Sequence, residues 1–260
     1  MSLAASYRDM AAAASPWAAE VSLLLAAPFI GSFLGVLIRR LPEGRPVLWG
    51  RSACESCEKP LGAAELLPVG SYLLQGGKCR GCGARIAPAH LWIELAAILV
   101  PASAIAAGDS GAALLAGSAL GWTLLAASWI DWEHMRLPDA LTLPLILMGL
   151  AATWWLAPDD LAAHALAAGL GFLAFRGIAL AYRRLRGRDG LGQGDAKLLA
   201  AGGAWLGPEA LSWVILAGAL CGLLLALAAS LRGARLRPDT AIPFGPCLAA
   251  GIWLLWLWGA

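Results

Sequence analysis

Charge is what this chain has least of. Only 14% of its 260 residues are Asp, Glu, Lys or Arg, while 60% are hydrophobic; soluble domains carry about 25% charged residues. That shortage excludes an ordinary water-soluble domain and points to an integral membrane protein. The net charge of +2 is too small for the basic footprint of a nucleic-acid binder. Also missing are internal repeats, low-complexity linkers and a completed G-x-G-x-x-G dinucleotide fingerprint. The flank from Met1 to Pro16 has only Arg8 as a positive charge, and Arg39 and Arg40 follow the first apolar run. It therefore lacks the basic start of a cleavable signal peptide and reads as an anchor with its N-terminus outside.

What is abundant is apolar sequence in membrane-length runs, together with 13 Trp, which suit membrane–water interfaces. A span needs about 20 mostly apolar residues. Eight candidates fall near 17–38, 91–107, 112–130, 138–156, 161–182, 196–206, 211–231 and 243–258, the sixth being short for a full crossing. The segments 39–90, 131–137, 183–197 and 232–242 hold 17 of the 19 Lys and Arg, and the intervening short loops hold none. The positive-inside rule places those four segments in the cytoplasm and both termini outside. The fold expected is an all-α polytopic membrane protein with one small cytoplasmic loop domain. Its parts are residues 1–38 (tail and first span), 39–90 (loop domain) and 91–260 (remaining spans).

Four of the six cysteines lie in that loop, as Cys54-x-x-Cys57 and Cys79-x-x-Cys82. Two such knuckles can supply four thiolates to a tetrahedral Zn²⁺. A loop of about 50 residues is too short for a large core, so a structural metal makes physical sense. The bland alternative is a pair of redox C-x-x-C motifs. Cys221 and Cys247 sit in apolar runs and read as packed thiols.

Acids at membrane depth are costly and mark functional candidates. Asp131 closes the third span and Asp195 opens the sixth, within Gly192-Gln193-Gly194-Asp195-Ala196-Lys197, so the loop count puts both at one cytoplasmic face. Two neighbouring carboxylates do not readily both ionise; one can act as an acid while the other activates water, as in aspartic proteases. The plain alternative is two helix-end acids. Gly192 and Gly194 permit unusual backbone angles and close approach of a substrate chain, and Lys197 could bias Asp195 toward its ionised form or simply mark the cytoplasmic boundary. Glu94, inside the second span, could meet a loop base or a substrate amine. Arg176, in mid-span, needs a partner or must snorkel. Asp139 suits the first turn of a helix, and Glu133, His134 and His164 read as solvated or capped.

Several motifs in one order resemble the bacterial type IV prepilin peptidases, bifunctional leader peptidase/N-methyltransferases among the G-x-G-D membrane aspartic proteases. They run from Gly31-Ser32-Phe33-Leu34 and Arg40-Leu41-Pro42 through the four cysteines and Gly76-Gly77-Lys78-Cys79. Ile130-Asp131, Leu137-Pro138-Asp139, Gly192 to Ala200 and Pro243-Phe244-Gly245-Pro246 complete the series. The resemblance implies that Asp131 and Asp195 are the catalytic pair and that Cys54, Cys57, Cys79 and Cys82 bind zinc. It implies type IV prepilins or type II secretion pseudopilins as substrates, methylation of the new N-terminus from S-adenosyl-L-methionine, and residence in the bacterial inner membrane among pilus or secretion assembly proteins. Two departures, Gly35 in place of Asn and Pro88-Ala89-His90-Leu91 in place of an Arg-Tyr-Pro segment, lie in the half associated with methylation. Outside the resemblance, a proton-coupled transporter built on Asp131, Asp195, Glu94 and Arg176, or a zinc-loop scaffold for a secretion machine, are the competing readings.

Overall fold

The structure is a computed structural model that describes residues 17–187, 190–233 and 242–259. The N-terminal tail with Arg8, and most of the basic loop 232–242, lie outside the described residues. Among those described there are no strands, and six helices are long and apolar enough to cross a membrane. The chain is an all-α polytopic membrane protein.

The helices are α1 (Ala18–Arg40), the short α2 (Gly70–Leu74), α3 (Ala89–Ala107), α4 (Gly111–His134), α5 (Asp139–Leu156), α6 (Leu161–Arg186), α7 (Gln193–Leu231) and α8 (Gly245–Trp258). Helix α7 has 39 residues, about 58 Å at 1.5 Å per residue, which is almost twice the hydrocarbon thickness of about 30 Å. Its dihedrals explain the excess. Gly207 takes φ 79° and ψ −176°, and Pro208 follows, so α7 is two helices meeting at a kink. The two pieces fall on the expected sixth and seventh runs; the eighth run is α8, an apolar helix of 14 residues that is shorter than the six of membrane-crossing length.

Pro208 has no N–H, which leaves the Ala204 carbonyl four residues earlier without its helical donor. Thr153 Oγ1 of α5 and His164 Nδ1 of α6 replace it, at 3.2 and 3.1 Å. Because a carbonyl only accepts, Nδ1 carries the ring proton. Of the two readings the sequence offered for His164, solvated or capped, the structure takes the second: the ring caps an open carbonyl at the kink.

The chain divides into two compact units. One comprises described residues 17–33 and 51–118, and the other residues 34–50 and 119–259. In the second unit α7 is central, packing on α5, α6 and α8. Small residues let the backbones approach, as membrane helices require. A Cβ on Gly203 would stand 2.6 Å from the Ala167 carbonyl carbon, and one on Gly149 would stand 2.6 Å from the Trp205 ring. The Trp205 indole N–H donates to the Leu145 carbonyl at 2.9 Å, and its ring meets Trp256 edge-on at 5.6 Å.

Candidate functional site

In the second unit, the C-terminal turn of α4 and the N-terminal turn of α7 place Asp131 and Asp195 on one cavity of about 410 Å³, a size typical of ligand pockets. Both side chains are buried, at 7% and 9% exposure. Helix α4 runs past Asp131 to His134 and stops at Met135, whose φ of 54° is left-handed. Leu137 and Pro138 then complete the wall between α4 and α5, and Leu41 and Pro42 from the end of α1 add to the rim.

Each aspartate is held by a backbone amide. The Gly245 N–H, at the start of α8, donates to Asp131 Oδ2 at 3.0 Å. The Gly192 N–H donates to Asp195 Oδ2 at 3.2 Å, the reach of a third-position acid back to the residue that caps its helix. Asp195 also lies in the first turn of α7, where the helix dipole favours negative charge. These bonds hold one oxygen, Oδ2, of each carboxylate.

The glycines differ from expectation. Gly192 is extended (φ −68°, ψ 147°), and Gly194 is absent from the left-handed residues and lies inside α7. Gly194 is needed for space: a Cβ there would be 2.5 Å from Leu137 Cβ. Gly245 is needed for the same reason, since its Cβ would be 2.6 Å from Asp131 Oδ2 and 3.2 Å from Leu137 Cδ1. Leu137 is therefore wedged between two glycines. Lys197 does not take the first of its two expected roles. Its ammonium pairs with the Asp139 carboxylate rather than with Asp195, tying the first turns of α7 and α5 together.

The other acids and bases singled out in the sequence have their own surroundings. Glu133 accepts from the Trp129 indole N–H at 2.8 Å, and it and His134 are exposed. Arg136, whose place on the cavity sequence reasoning missed, is exposed on its rim. Arg176 is half-buried on α6, and among the described residues no ion pair to it is found. Glu94 belongs to the first unit. It is buried on α3 and accepts from the Val69 N–H at 2.6 Å, with the Ser32 hydroxyl beside it; it meets no loop base there.

The first unit also holds the four cysteines. Their sulfurs all lie within 4.8 Å of one another, and Cys54 and Cys82 Sγ are 3.9 Å apart. Four ligands about 2.3 Å from a tetrahedral Zn²⁺ stand about 3.8 Å apart, so the cluster is dimensioned for one ion. The two knuckles are built alike. Cys54 N–H donates to Lys59 and Glu58 N–H returns to Cys54; Cys79 N–H donates to Ala84 and Gly83 N–H returns to Cys79. The isolated bridges Ala53–Pro60 and Lys78–Arg85 close them. The fourth residue after the first cysteine is left-handed in both, Glu58 at φ 56° and Gly83 at φ 74°. The Gly81 N–H adds a 3.3 Å bond to Cys79 Sγ. Backbone N–H groups of Ser56 and Cys57 pull the Cys54 thiol down to about 6, which favours the thiolate a metal needs. The four sulfurs are close enough together to hold one metal ion, and all four cysteines are free.

Comparison with known proteins agrees with both parts. Residues 118–227 match the type IV leader peptidase family and residues 25–107 match the bacterial peptidase A24 N-terminal domain. A protein of Burkholderia pseudomallei (strain K96243) named prepilin leader peptidase/N-methyltransferase is 40% identical, over 94% of this chain and 89% of its own. Proteins of the same name from Aeromonas salmonicida (strain A449) and Pseudomonas aeruginosa are each 35% identical, over 94% and 95% of this chain and 92% and 93% of theirs. No solved structure matches. With two adjoining family matches and relatives spanning nearly its whole length, the chain belongs to the type IV leader peptidase family.

Proposed function

We propose that this protein is an intramembrane aspartic endopeptidase that removes the leader of type IV prepilins or type II secretion pseudopilins, and then methylates the new N-terminus. The observation that carries the reading is the pair of buried carboxylates, Asp131 and Asp195, on one cavity of a leader-peptidase-family chain. The pair shares one proton. The ionised member takes a proton from water, whose oxygen attacks the scissile carbonyl carbon, while the protonated member gives its proton to the carbonyl oxygen. The tetrahedral diol then collapses. Its hydroxyl proton returns to a carboxylate, the C–N bond breaks, and the leaving amine takes a proton from the partner carboxyl. The Gly245 and Gly192 amides hold each aspartate in place throughout.

The basic segments 39–90 and 183–197 support an active site at the cytoplasmic face of the inner membrane, with both termini periplasmic. Cys54, Cys57, Cys79 and Cys82 would hold a structural Zn²⁺, which stabilises the loop and, with four thiolates, has no open position for water. Methyl transfer from S-adenosyl-L-methionine rests on the relatives' name. We assign no residue to the donor, since the loop is too short for a doubly wound domain and carries no glycine-rich phosphate loop. A transporter relay is disfavoured because it needs charges strung across the membrane, whereas the two best acids share one cavity.

The test is cleavage of a purified prepilin by the Asp131→Asn and Asp195→Asn proteins in detergent. Each should lose at least a thousandfold in rate while keeping the wild-type melting profile. Normal turnover by either variant would sink the pair assignment.

A further inference from the structure

The four-cysteine loop contains a stretch with the wrong surface for an aqueous loop. Leu66, Leu67, Leu73 and Leu74 are 43, 48, 63 and 79% exposed, and no charged residue lies between Leu66 and Gln75. The stretch has two faces. Inward, Tyr72 lies over Gly77, where a Cβ would be 3.0 Å from the phenol oxygen, and the Val69 N–H reaches Glu94 Oε2. Outward stand Leu73 and Leu74.

The Val69–Glu94 bond fixes the depth of this surface. Glu94 is on the second turn of α3, which begins at Ala89, so it lies about 8 Å along that helix at 1.5 Å per residue. Gly31 of α1 packs at the same level, since a Cβ on it would be 2.7 Å from Glu94 Cα. Gly31 is about 13 Å inward from the end of α1 at Arg40 by the same rise. Both helices are apolar and membrane-length. A segment hydrogen-bonded near the start of a spanning helix is close to the membrane surface, within reach of the headgroup–acyl boundary where interfacial elements bury their apolar faces, about 5–10 Å deep. Lys78, Arg80 and Arg85 follow in sequence, as the basic flank of an anionic-lipid contact does.

We infer that residues 66–74 form a monotopic, lipid-immersed element, with Leu73 and Leu74 inserted among the acyl chains, so that the bilayer itself is the partner of this face of the loop. A proteinaceous partner would face exposed leucines above the membrane; here their anchor, Glu94, belongs to a spanning helix. The consequence for function is positional: the loop is fastened to the membrane surface by its own side chains as well as by its two helical ends.

Photocrosslinking tests this independently of any cleavage. Photoreactive p-benzoyl-phenylalanine replaces Leu74, or separately Leu73, in the full-length protein in vesicles of phosphatidylethanolamine and phosphatidylglycerol. Leu99, exposed on α3, serves as the lipid-facing reference, and Glu58, exposed in the first knuckle, as the aqueous one. Mass spectrometry after irradiation should find lipid adducts at positions 74 and 73 within about threefold of those at 99, and at least tenfold above those at 58. Adducts at 73 and 74 no more abundant than at 58, while 99 labels normally, would overturn the inference; so would crosslinks from both positions to protein alone.

Discussion

Gly245 donates its N–H to Asp131 Oδ2 at 3.0 Å, and the same glycine vacates the space that oxygen occupies, since its Cβ would stand 2.6 Å away. The start of α8 is thereby a mould for the carboxylate. Replacing Gly245 by Ala keeps the donor but pushes the acceptor, and overpacking of this kind costs about 1–3 kcal/mol. Gly245→Ala should cut prepilin cleavage at least tenfold, with a lowered melting midpoint but a folded protein. Steady-state cleavage alongside thermal unfolding in detergent checks it.

Gly194 and Leu137 make a second fitted contact. A Cβ at 194 meets Leu137 Cβ at 2.5 Å, and the far end of Leu137 cannot relieve it because the colliding atom is next to the backbone. Gly194→Ala is expected to cost at least as much activity as Gly245→Ala. Adding Leu137→Gly should recover part of the loss, because it removes the colliding carbon. A double-mutant cycle on cleavage rate measures this coupling; strictly additive losses would show that the two positions do not meet.

Lys197 pairs with Asp139, and the carboxylate is 62% exposed. Such a pair contributes little, about 0–1 kcal/mol with solvent screening. Asp139→Asn should therefore leave cleavage within about threefold of wild type, in contrast to Asp195→Asn. Lys197→Ala should behave like Asp139→Asn, and the double variant should be no worse than either single. A collapse of activity in Lys197→Ala alone would return Lys197 to the role of holding Asp195 ionised.

What was legible in the sequence was whatever leaves a one-dimensional trace. Apolar run length gave eight segments; the structure forms a helix over each, six of them of membrane-crossing length once the two runs joined at Gly207 are taken as one helix, with the last too short. The spacing of Cys54, Cys57, Cys79 and Cys82 foretold the cluster, since a knuckle is local geometry. Loop charges put Asp131 and Asp195 on one side, and they line one cavity. Contacts made across helices were not legible. Gly194 reads in sequence as a residue for unusual backbone angles, yet its neighbour Leu137 is 57 positions away and only packing makes it a spacing device. His164 reads as solvated or capped, and which group it caps appears only once Pro208, in another helix, has freed the Ala204 carbonyl. Lys197 lies two residues from Asp195 in sequence, but neighbours two apart on a helix do not face each other, so its ammonium points to Asp139.

The cysteine cluster makes a metal prediction with a definite pH sign. Purified protein should contain about one Zn²⁺ per chain, as one four-thiolate site requires, and Cys79→Ser should lose it. Thiolates are the ligands, so protons compete with the metal. The thiols do not move together: Cys54 lies at about 6, whereas Cys57, although the Lys59 amide lowers it, is pushed up to about 11 with the Cys82 thiol beside it. The sign therefore comes from proton competition for the four thiolates, with metal held at higher pH and released as pH falls. Zinc release monitored with a colorimetric chelator should rise as pH drops from about 7 to 5. Glu58 holds the left-handed position that Gly83 holds in the other knuckle. Glu58→Gly should accordingly tighten metal retention or raise the melting midpoint, by up to about 1 kcal/mol, the usual cost of a left-handed non-glycine residue.

The kink of α7 can be tested without touching the aspartates. Ala204 is about 14 Å beyond Asp195 along the helix, at 1.5 Å per residue, and its carbonyl depends on Thr153 and His164 for donors. Removing one donor leaves the other; removing both leaves a buried acceptor unpaired, which costs about 1–3 kcal/mol. Thr153→Val and His164→Leu should each lower the melting midpoint slightly, and the double variant should lower it by more than their sum. Prepilin cleavage below the transition should stay within about threefold of wild type in all three. If His164→Leu instead abolished cleavage in a protein that melts normally, the histidine would act on the reaction and not on the kink.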